Sequence, residues 1–366
     1  MKILFFTPGL GVGGAERFLS DLAIELLRQN QQIYVYSLGL SSDRNAQKLA
    51  EHKVNVICLE RSLFRLPHFL LQIYRETRKQ DQVILQGWMY LGDLMALVAS
   101  KILRIPGLFW SVRNTNIPND GMSLSARLSI SLSRSFSRVL RPEVIACAET
   151  ALQSHLDSGF RYSKSSIVGN SVPEWLDELE PWEPRTQNNG FVIGMAGRMA
   201  EGKGHLTFLK LLSSLQDSTV TPILGKLVGN GVDTSIQLES EAKLRGLTEC
   251  LTLQPQTDNI QNWLSGIHAY IMCSEGWEGF PNALLEAASF GVPAIAVDLG
   301  ASKEILLTSQ ICKRFQLDTL SSRVQLLIEN YSAEVERARS HKEYLRDKYS
   351  VENITAKYLT IWRGKV

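Results

Sequence analysis

Three short stretches of this 366-residue chain carry glycines and charged side chains spaced for chemistry. The first is Gly9, Leu10, Gly11, Val12, Gly13, Gly14, a G-x-G-x-x-G run between an apolar segment and a helical pattern over 15–27. Glycines so placed let backbone amides at a positive helix N-terminus approach a phosphate or a sugar. The second is Gly197, Arg198, Met199, Ala200, Glu201, Gly202, Lys203, Gly204. It nearly matches a nucleotide-binding P-loop, but Gly204 stands where a Ser or Thr would hold Mg²⁺. Arg198 and Lys203 remain as two cations on one strand-to-helix loop, suited to neutralising a diphosphate leaving group without a metal. In the third, Ser274 to Glu286, Glu278 lies in a Gly-rich loop and Glu286 falls about one turn inside the next helix. Two such carboxylates can accept from the hydroxyls of one extended ligand, although Glu286 could equally cap or pair within its helix.

The elements that must hold these loops are legible as alternation. Short apolar runs at 2–7, 33–38, 54–59, 82–86, 108–112 and 143–148 are separated by longer amphipathic stretches, which predicts a parallel sheet with helical crossovers. The layout recurs at 191–196, 222–228, 250–253, 269–273 and 293–297. Between the halves, 171–190 holds Pro173, Pro181, Pro184, five acidic residues and Asn188, Asn189, Gly190, a linker composition. We therefore expect an α/β chain with a first domain over 1–170, a linker over 171–190 and a second domain over 191–348. Closing helices begin at Leu317, and the last, 349–366, packs back on the first domain.

Composition narrows the function. At 44% hydrophobic and 21% charged, the chain is that of a globular protein, not a disordered or collagen-like one. Cys58, Cys147, Cys250, Cys273 and Cys312 are odd in number, far apart and without a C-x-x-C pair, which favours neither disulfides nor zinc and makes a reducing cytoplasm the simplest compartment. The scattered His52, His68, His155, His205, His268 and His341 form no metal-binding motif, and no metal or cofactor is expected. The apolar run ending at Pro8 is too short for a signal peptide, and Lys101 and Arg104 interrupt the apolar stretch from Leu94 to Trp110, so membrane contact should be peripheral. After the second strand the first acid is Asp43, too late for the ribose carboxylate of a dehydrogenase.

Charge is unevenly divided. Residues 1–170 carry 20 Lys and Arg against 13 Asp and Glu, residues 171–366 carry 19 against 24, and no concentrated basic surface suggests nucleic acid. Between Asp120 and Glu143 there is no acid, and Arg127, Arg134, Arg138 and Arg141 fall within about 60° on a helical wheel. Leu128, Leu132, Phe136, Val139 and Leu140 lie opposite. This predicts a surface helix with its apolar stripe on the core and its arginines in water. The alternative is arginines that meet anionic lipid or a lipid diphosphate.

The order strand, E-G-F-P-N-A-L-L-E-A from Glu278, then G-V-P-A-I-A from Gly291 resembles the donor-site signature of the retaining glycosyltransferases of family 4. Gly13, Gly14, Ala15, Glu16, Arg17, the G-R-x4-K loop from Gly197 to Lys203, and Gly229, Asn230, Gly231 agree in position, so the resemblance spans almost the whole chain. It implies the GT-B architecture, two facing Rossmann-like domains with parallel sheets and closing C-terminal helices. It also implies retaining, metal-independent hexosyl transfer from a UDP-sugar or GDP-sugar to a glycan or lipid-linked acceptor in cell-surface polysaccharide synthesis. The compartment would be the cytoplasm or the inner face of its membrane.

Carried over residue by residue, the resemblance implies that Glu278 and the backbone of Gly279, Phe280, Pro281 and Asn282 contact the donor sugar and that Glu286 binds the nucleotide ribose. By the same resemblance Arg198 and Lys203 would hold the diphosphate and be catalytic with Glu278, and Gly13, Gly14, Gly197 and Gly229 would complete the donor cradle. The family's histidines at the ends of the fourth and fifth strands are absent from Leu85 to Leu91 and from Trp110 to Asn114. No histidine role transfers, and Trp88, Arg113 and Asn114 become the acceptor-side candidates, because such strand ends face the ligand crevice. The family's N-G-x-D appears only as Asn170, Ser171, Val172, Pro173, and no D-x-D metal triplet occurs. Two alternatives stay open: a nucleotide-sugar epimerase of the same architecture, and a non-catalytic nucleotide-sugar-binding protein.

Overall fold

The first apolar run forms β1 (Lys2–Thr7), in which Ile3, Leu4, Phe5 and Phe6 are all buried. An unbroken apolar strand is what a parallel sheet covered on both faces requires. The computed structural model describes residues 1–60, 66–77, 82–115, 123–176, 182–183, 190–276 and 278–365, so most of the expected linker, Asp120 and Trp277 lie outside it. The chain divides into two compact units, Met1–Pro173 with Tyr349–Val366, and Glu174–Lys348.

In the first unit β1 is followed by α1 (Gly14–Arg28), β2 (Gln32–Ser37), α2 (Arg44–Glu51), β3 (Asn55–Cys58), α3 (Leu66–Thr77), β4 (Val83–Gly87) and α4 (Met89–Leu103). Next come β5 (Gly107–Val112), α5 (Leu124–Leu140), β6 (Glu143–Ala146), α6 (Glu149–Asp157) and β7 (Lys164–Ile167). The strands order as β3-β2-β1-β4-β5-β6-β7, every neighbouring pair parallel. β7 has no sequence signal because it is an edge strand of Lys164, Ser165, Ser166 and Ile167 without a buried residue.

The second unit repeats the plan with β8 (Phe191–Ala196), α7 (His205–Ser218), β9 (Ile223–Val228), α8 (Ile236–Leu244), β10 (Leu251–Gln254), α9 (Ile260–Ser265) and β11 (Ala269–Met272). It continues through α10 (Asn282–Phe290), β12 (Ala294–Val297), α11 (Ser302–Ile305), β13 (Ile311–Cys312), α12 (Leu317–Glu329) and α13 (Tyr331–Lys348). The order is β10-β9-β8-β11-β12-β13, again parallel. Each sheet reverses its winding beside its first strand, between β1 and β4 and between β8 and β11, and ligands of such sheets bind at the carboxyl ends there. The two glycine loops leave β1 and β8 at those points.

The last helix, α14 (Val351–Arg363), belongs to the first unit and packs on α1. Trp362 and Tyr358 are fully buried, the Trp362 ring 6.0 Å from Phe5 and its Nε1–H donating to Gln86 Oε1 at 3.2 Å.

α5 departs from its expected orientation. Its inward residues are Ser129, Ile130, Ser133 and Ser137, while Leu124, Leu128, Leu132, Phe136, Val139 and Leu140 are exposed. Small serines let the helix lie close on its neighbours, Ser133 donating to Tyr90 O at 3.1 Å, and the apolar stripe is turned outward.

His155 of α6 is wholly buried; its Nδ1–H donates to Ala151 O at 2.9 Å and its Nε2 faces the Tyr90 hydroxyl at 2.8 Å. Burial pushes its pKa from 6.5 down to about 4. The unfolded chain therefore takes up a proton that the folded chain refuses between those values, and stability falls as pH drops through that window. His155→Gln should flatten the fall in unfolding free energy between pH 6.5 and 4 by about 2 kcal/mol, measured by urea unfolding across the window.

Candidate active site

The loop 197–204 is laced to the turn after β9. Gly197 N–H donates to Val228 O at 2.9 Å and Met199 N–H to Asn230 O at 2.8 Å. Gly229 closes this contact, since a Cβ there would come within 2.0 Å of Gly197 O. Gly204 caps α7 at φ +80°, and a Cβ on it would stand 1.9 Å from the carbonyl oxygen of Cys273. The P-loop hydroxyl residue is therefore sterically barred from this position.

That approach joins the loop to the one after β11. Glu275 and Gly276 N–H both donate to Gly202 O, at 2.8 and 3.0 Å, and Thr207 Oγ1 donates to the Glu275 carboxylate. Lys203 Nζ donates to Glu278 Oε1 at 2.7 Å, and Ser274 Oγ to the same oxygen at 2.8 Å. The Glu278 side chain is only 11% exposed, a depth at which a carboxylate needs a paired charge. Ala301 N–H holds Gly279 O at 3.0 Å, Phe280 and Pro281 are buried, and Asn282 opens α10.

Glu286 is buried on the same helix. Tyr270 of β11 donates to Ala196 O at 3.3 Å; burial pushes its phenol up, and the charges of both Glu278 and Glu286 push it further. The two carboxylates thus converge on the β8/β11 switch point. Arg198 is exposed on the same loop as Lys203 and makes no ion pair among the described residues. His205 Nε2–H donates to Gly197 O at 3.2 Å, and burial lowers its pKa. Ser274, Tyr270 and His205 have no sequence signal beyond lying beside the motifs they brace. No three His, Cys, Asp or Glu side chains come together as a metal site would need among the described residues.

In the first unit Gly13 caps α1, and the Glu16 carboxylate folds back over it, with Oε2 1.9 Å from where a Gly13 Cβ would stand. Glu16 occupies the third helical position, where a carboxylate reaches back to the cap. Asp43 Oδ2 accepts from Leu40 N–H at 3.1 Å and Leu10 N–H at 3.4 Å, while Asn45 Nδ2 donates to Gly11 O. Asp43 braces the glycine loop, a further reason that it serves no dinucleotide ribose. A Cβ on Gly9 or Gly11 would meet nothing within 4 Å, so that side of the loop is open.

The acceptor-side candidates have internal partners. Trp88 is fully buried and donates to Ala15 O at 3.1 Å. The buried Arg113 stacks 4.3 Å from the Trp88 ring centre, with Phe18 at 5.2 Å and Tyr358 at 5.9 Å. It donates to the Tyr358 hydroxyl and to Asn170 Oδ1 at 3.3 Å, tying β5 to α14. Asn114 is half-buried, its Oδ1 3.3 Å from the Tyr90 hydroxyl.

Residues 190–330 match the family described as Glycosyl transferases group 1. Over 375 residues the chain is 21% identical to an uncharacterized glycosyltransferase of Haemophilus influenzae, covering 99% of each. It is 24% identical over 305 residues to the amylovoran biosynthesis glycosyltransferase AmsD of Erwinia amylovora, covering 81% of each. Among solved structures, Anabaena HepE in complex with UDP matches over 100% of both chains with a TM-score of 0.80 at 18% identity. The match to the glycosyl transferases of group 1 thus lies in the second unit, and the chain carries the GT-B fold of its structural neighbours.

Restoring the P-loop residue tests the steric argument. Gly204→Ser combines left-handed backbone strain with overpacking and should lower the unfolding free energy by about 2–4 kcal/mol in denaturant titrations. It should create no Mg²⁺-dependent nucleotide binding.

Proposed function

We propose that the protein is a family 4 transferase that moves a sugar, with retention and without a metal, from a nucleotide-diphosphate sugar to a glycan or lipid-linked acceptor in cell-surface polysaccharide synthesis. The observation that carries this reading is the Lys203–Glu278 pair, 2.7 Å apart at the switch point, with Arg198 beside it in sequence and Glu286 on the following helix. A UDP-sugar is put ahead of a GDP-sugar because HepE has been solved with UDP and with UDP-glucose. The name of AmsD supports the polysaccharide assignment.

In this reading the pair is exchanged when the donor binds. The diphosphate offers Lys203 a stronger anion than Glu278 does, and Arg198 joins it in neutralising the leaving group. Glu278, still held by Ser274, is then free to accept from a sugar hydroxyl, and Glu286 accepts from the ribose. No carboxylate is assigned as a nucleophile, since Glu16 beside the first glycine loop folds over its own helix cap, so a front-face course is more economical. The bond from the anomeric carbon to the phosphate oxygen breaks, the bond to the acceptor oxygen forms on the same face, and the departing phosphate takes the acceptor's proton.

Lys203→Ala and Arg198→Ala should each lower kcat by about 100-fold or more, with EDTA leaving the wild type unchanged. By calorimetry, Glu286→Gln should weaken binding of UDP itself, whereas Glu278→Gln, which releases Lys203, should leave UDP binding equal or tighter. Equal weakening by both would overturn the assignment. The product should keep the donor's anomeric configuration by NMR; inversion would remove the retaining reading, and a glycosyl-enzyme adduct in mass spectra would remove the front-face course.

A further inference from the structure

We propose that the α4–α5 face of the first unit is a docking surface for an anionic lipid bilayer, a property independent of the transferase reading. The outward residues of α5 are large and apolar, with Leu124 82%, Leu128 58% and Val139 79% exposed, and α4 adds Val98 at 51% and Ile102 at 59%. The two helices pack against each other, so these side chains form one surface. Contiguous apolar exposure on this scale marks an interaction site.

Charge identifies the occupant. Between Gln82 and Pro142 there are seven Lys and Arg, of which Arg113 is buried, against two acids, of which Asp93 is buried and Asp120 lies outside the described residues. α4 and α5 end on Arg104 and Arg141, both in the left-handed conformation where glycine is the ordinary cap. These arginines line an open hollow of about 420 Å³ with Lys101, Leu140, Glu143 and Lys365. Lys365 already pairs with Glu143 at 2.7 Å, leaving Lys101, Arg104 and Arg141 outside any ion pair among the described residues.

Three uncommitted cations around a hollow that adjoins an apolar face match the headgroup phosphates and acyl chains of an anionic membrane. A second copy of the chain fits less well, because a two-fold contact through this face would set its cations against their own copies. Arg138 donates to Gly159 O at 2.8 Å and Arg134 stacks 5.9 Å from Phe160, so the headgroup sites are Lys101, Arg104 and Arg141, of which only Arg141 belongs to the arc that the helical wheel groups.

Flotation of the full chain with vesicles tests the proposal. Vesicles of equimolar phosphatidylglycerol and phosphatidylcholine should carry the protein, and phosphatidylcholine vesicles should not. Arg104→Ser with Arg141→Ser should weaken binding about tenfold or more, at an unchanged thermal unfolding midpoint. Leu124→Ser with Leu128→Ser and Val139→Ser should abolish binding; if that variant does not fold, the arginine pair decides the matter. Equal binding to both vesicle types, or to neither, overturns the proposal. So does self-association in sedimentation that the apolar substitutions abolish while vesicle binding is absent.

Discussion

A carboxylate almost closed off from water has to be given a partner, and in the second unit that requirement organises everything around Glu278. Lys203 and Ser274 both donate to one of its oxygens. Lys203 is 75 residues away in sequence, so two loops leaving different strands must be held within a few ångströms of each other. The contact of Gly204 with Cys273 O, the bonds of Glu275 and Gly276 to Gly202 O, and the packing of Gly300 against Glu278 O and Gly279 O all serve that approach. A buried ion pair of this kind contributes little net stability, because desolvation offsets much of the attraction. In the proposed function its value lies in holding a cation and an anion ready to be separated by a more highly charged ligand.

The first unit meets the same rule with different chemistry. Arg113 is buried without a carboxylate in contact among the described residues; it lies against the faces of Trp88, Phe18 and Tyr358 and donates to two oxygen acceptors. Nearby, Ser111 N–H bonds Asp93 at 3.0 Å; burial raises that carboxyl's pKa, opposed by the Ser111 bond and by the Arg113 charge. Cation–π contact suits a guanidinium, which is planar and weakly hydrated. The consequence is architectural: the end of β5 is fastened to α14, and the closing helix becomes part of the first unit's core.

α5 shows how far a periodic pattern can be trusted. The helical wheel separates an arginine arc from an apolar arc correctly, yet neither faces the core. The inward arc is serine with a single isoleucine. A hydrophobic pattern reports that two faces differ, whereas burial depends on which face fits the neighbouring helix. Small side chains let α5 lie close to α4, and that fit outweighs the apolar stripe.

Most strands, both glycine loops, the acidic loop and their attachment to first strands were legible in the sequence, because parallel strands buried on two faces leave continuous apolar runs and phosphate or sugar loops leave glycines and charges at short spacing. Edge strands such as β7 and β13 were not, since exposure or brevity removes that signal. The residue types of the candidate site were likewise determined locally: Arg198, Lys203, Glu278 and Glu286 stand out by type and interval. Only the tertiary structure decided that Lys203 and Glu278 are partners, that Gly204 admits no side chain, that Trp88 and Arg113 are held inside the first unit, and that α5 turns its leucines outward. Each of these depends on distances between segments far apart in the chain, and local spacing carries no information about such distances.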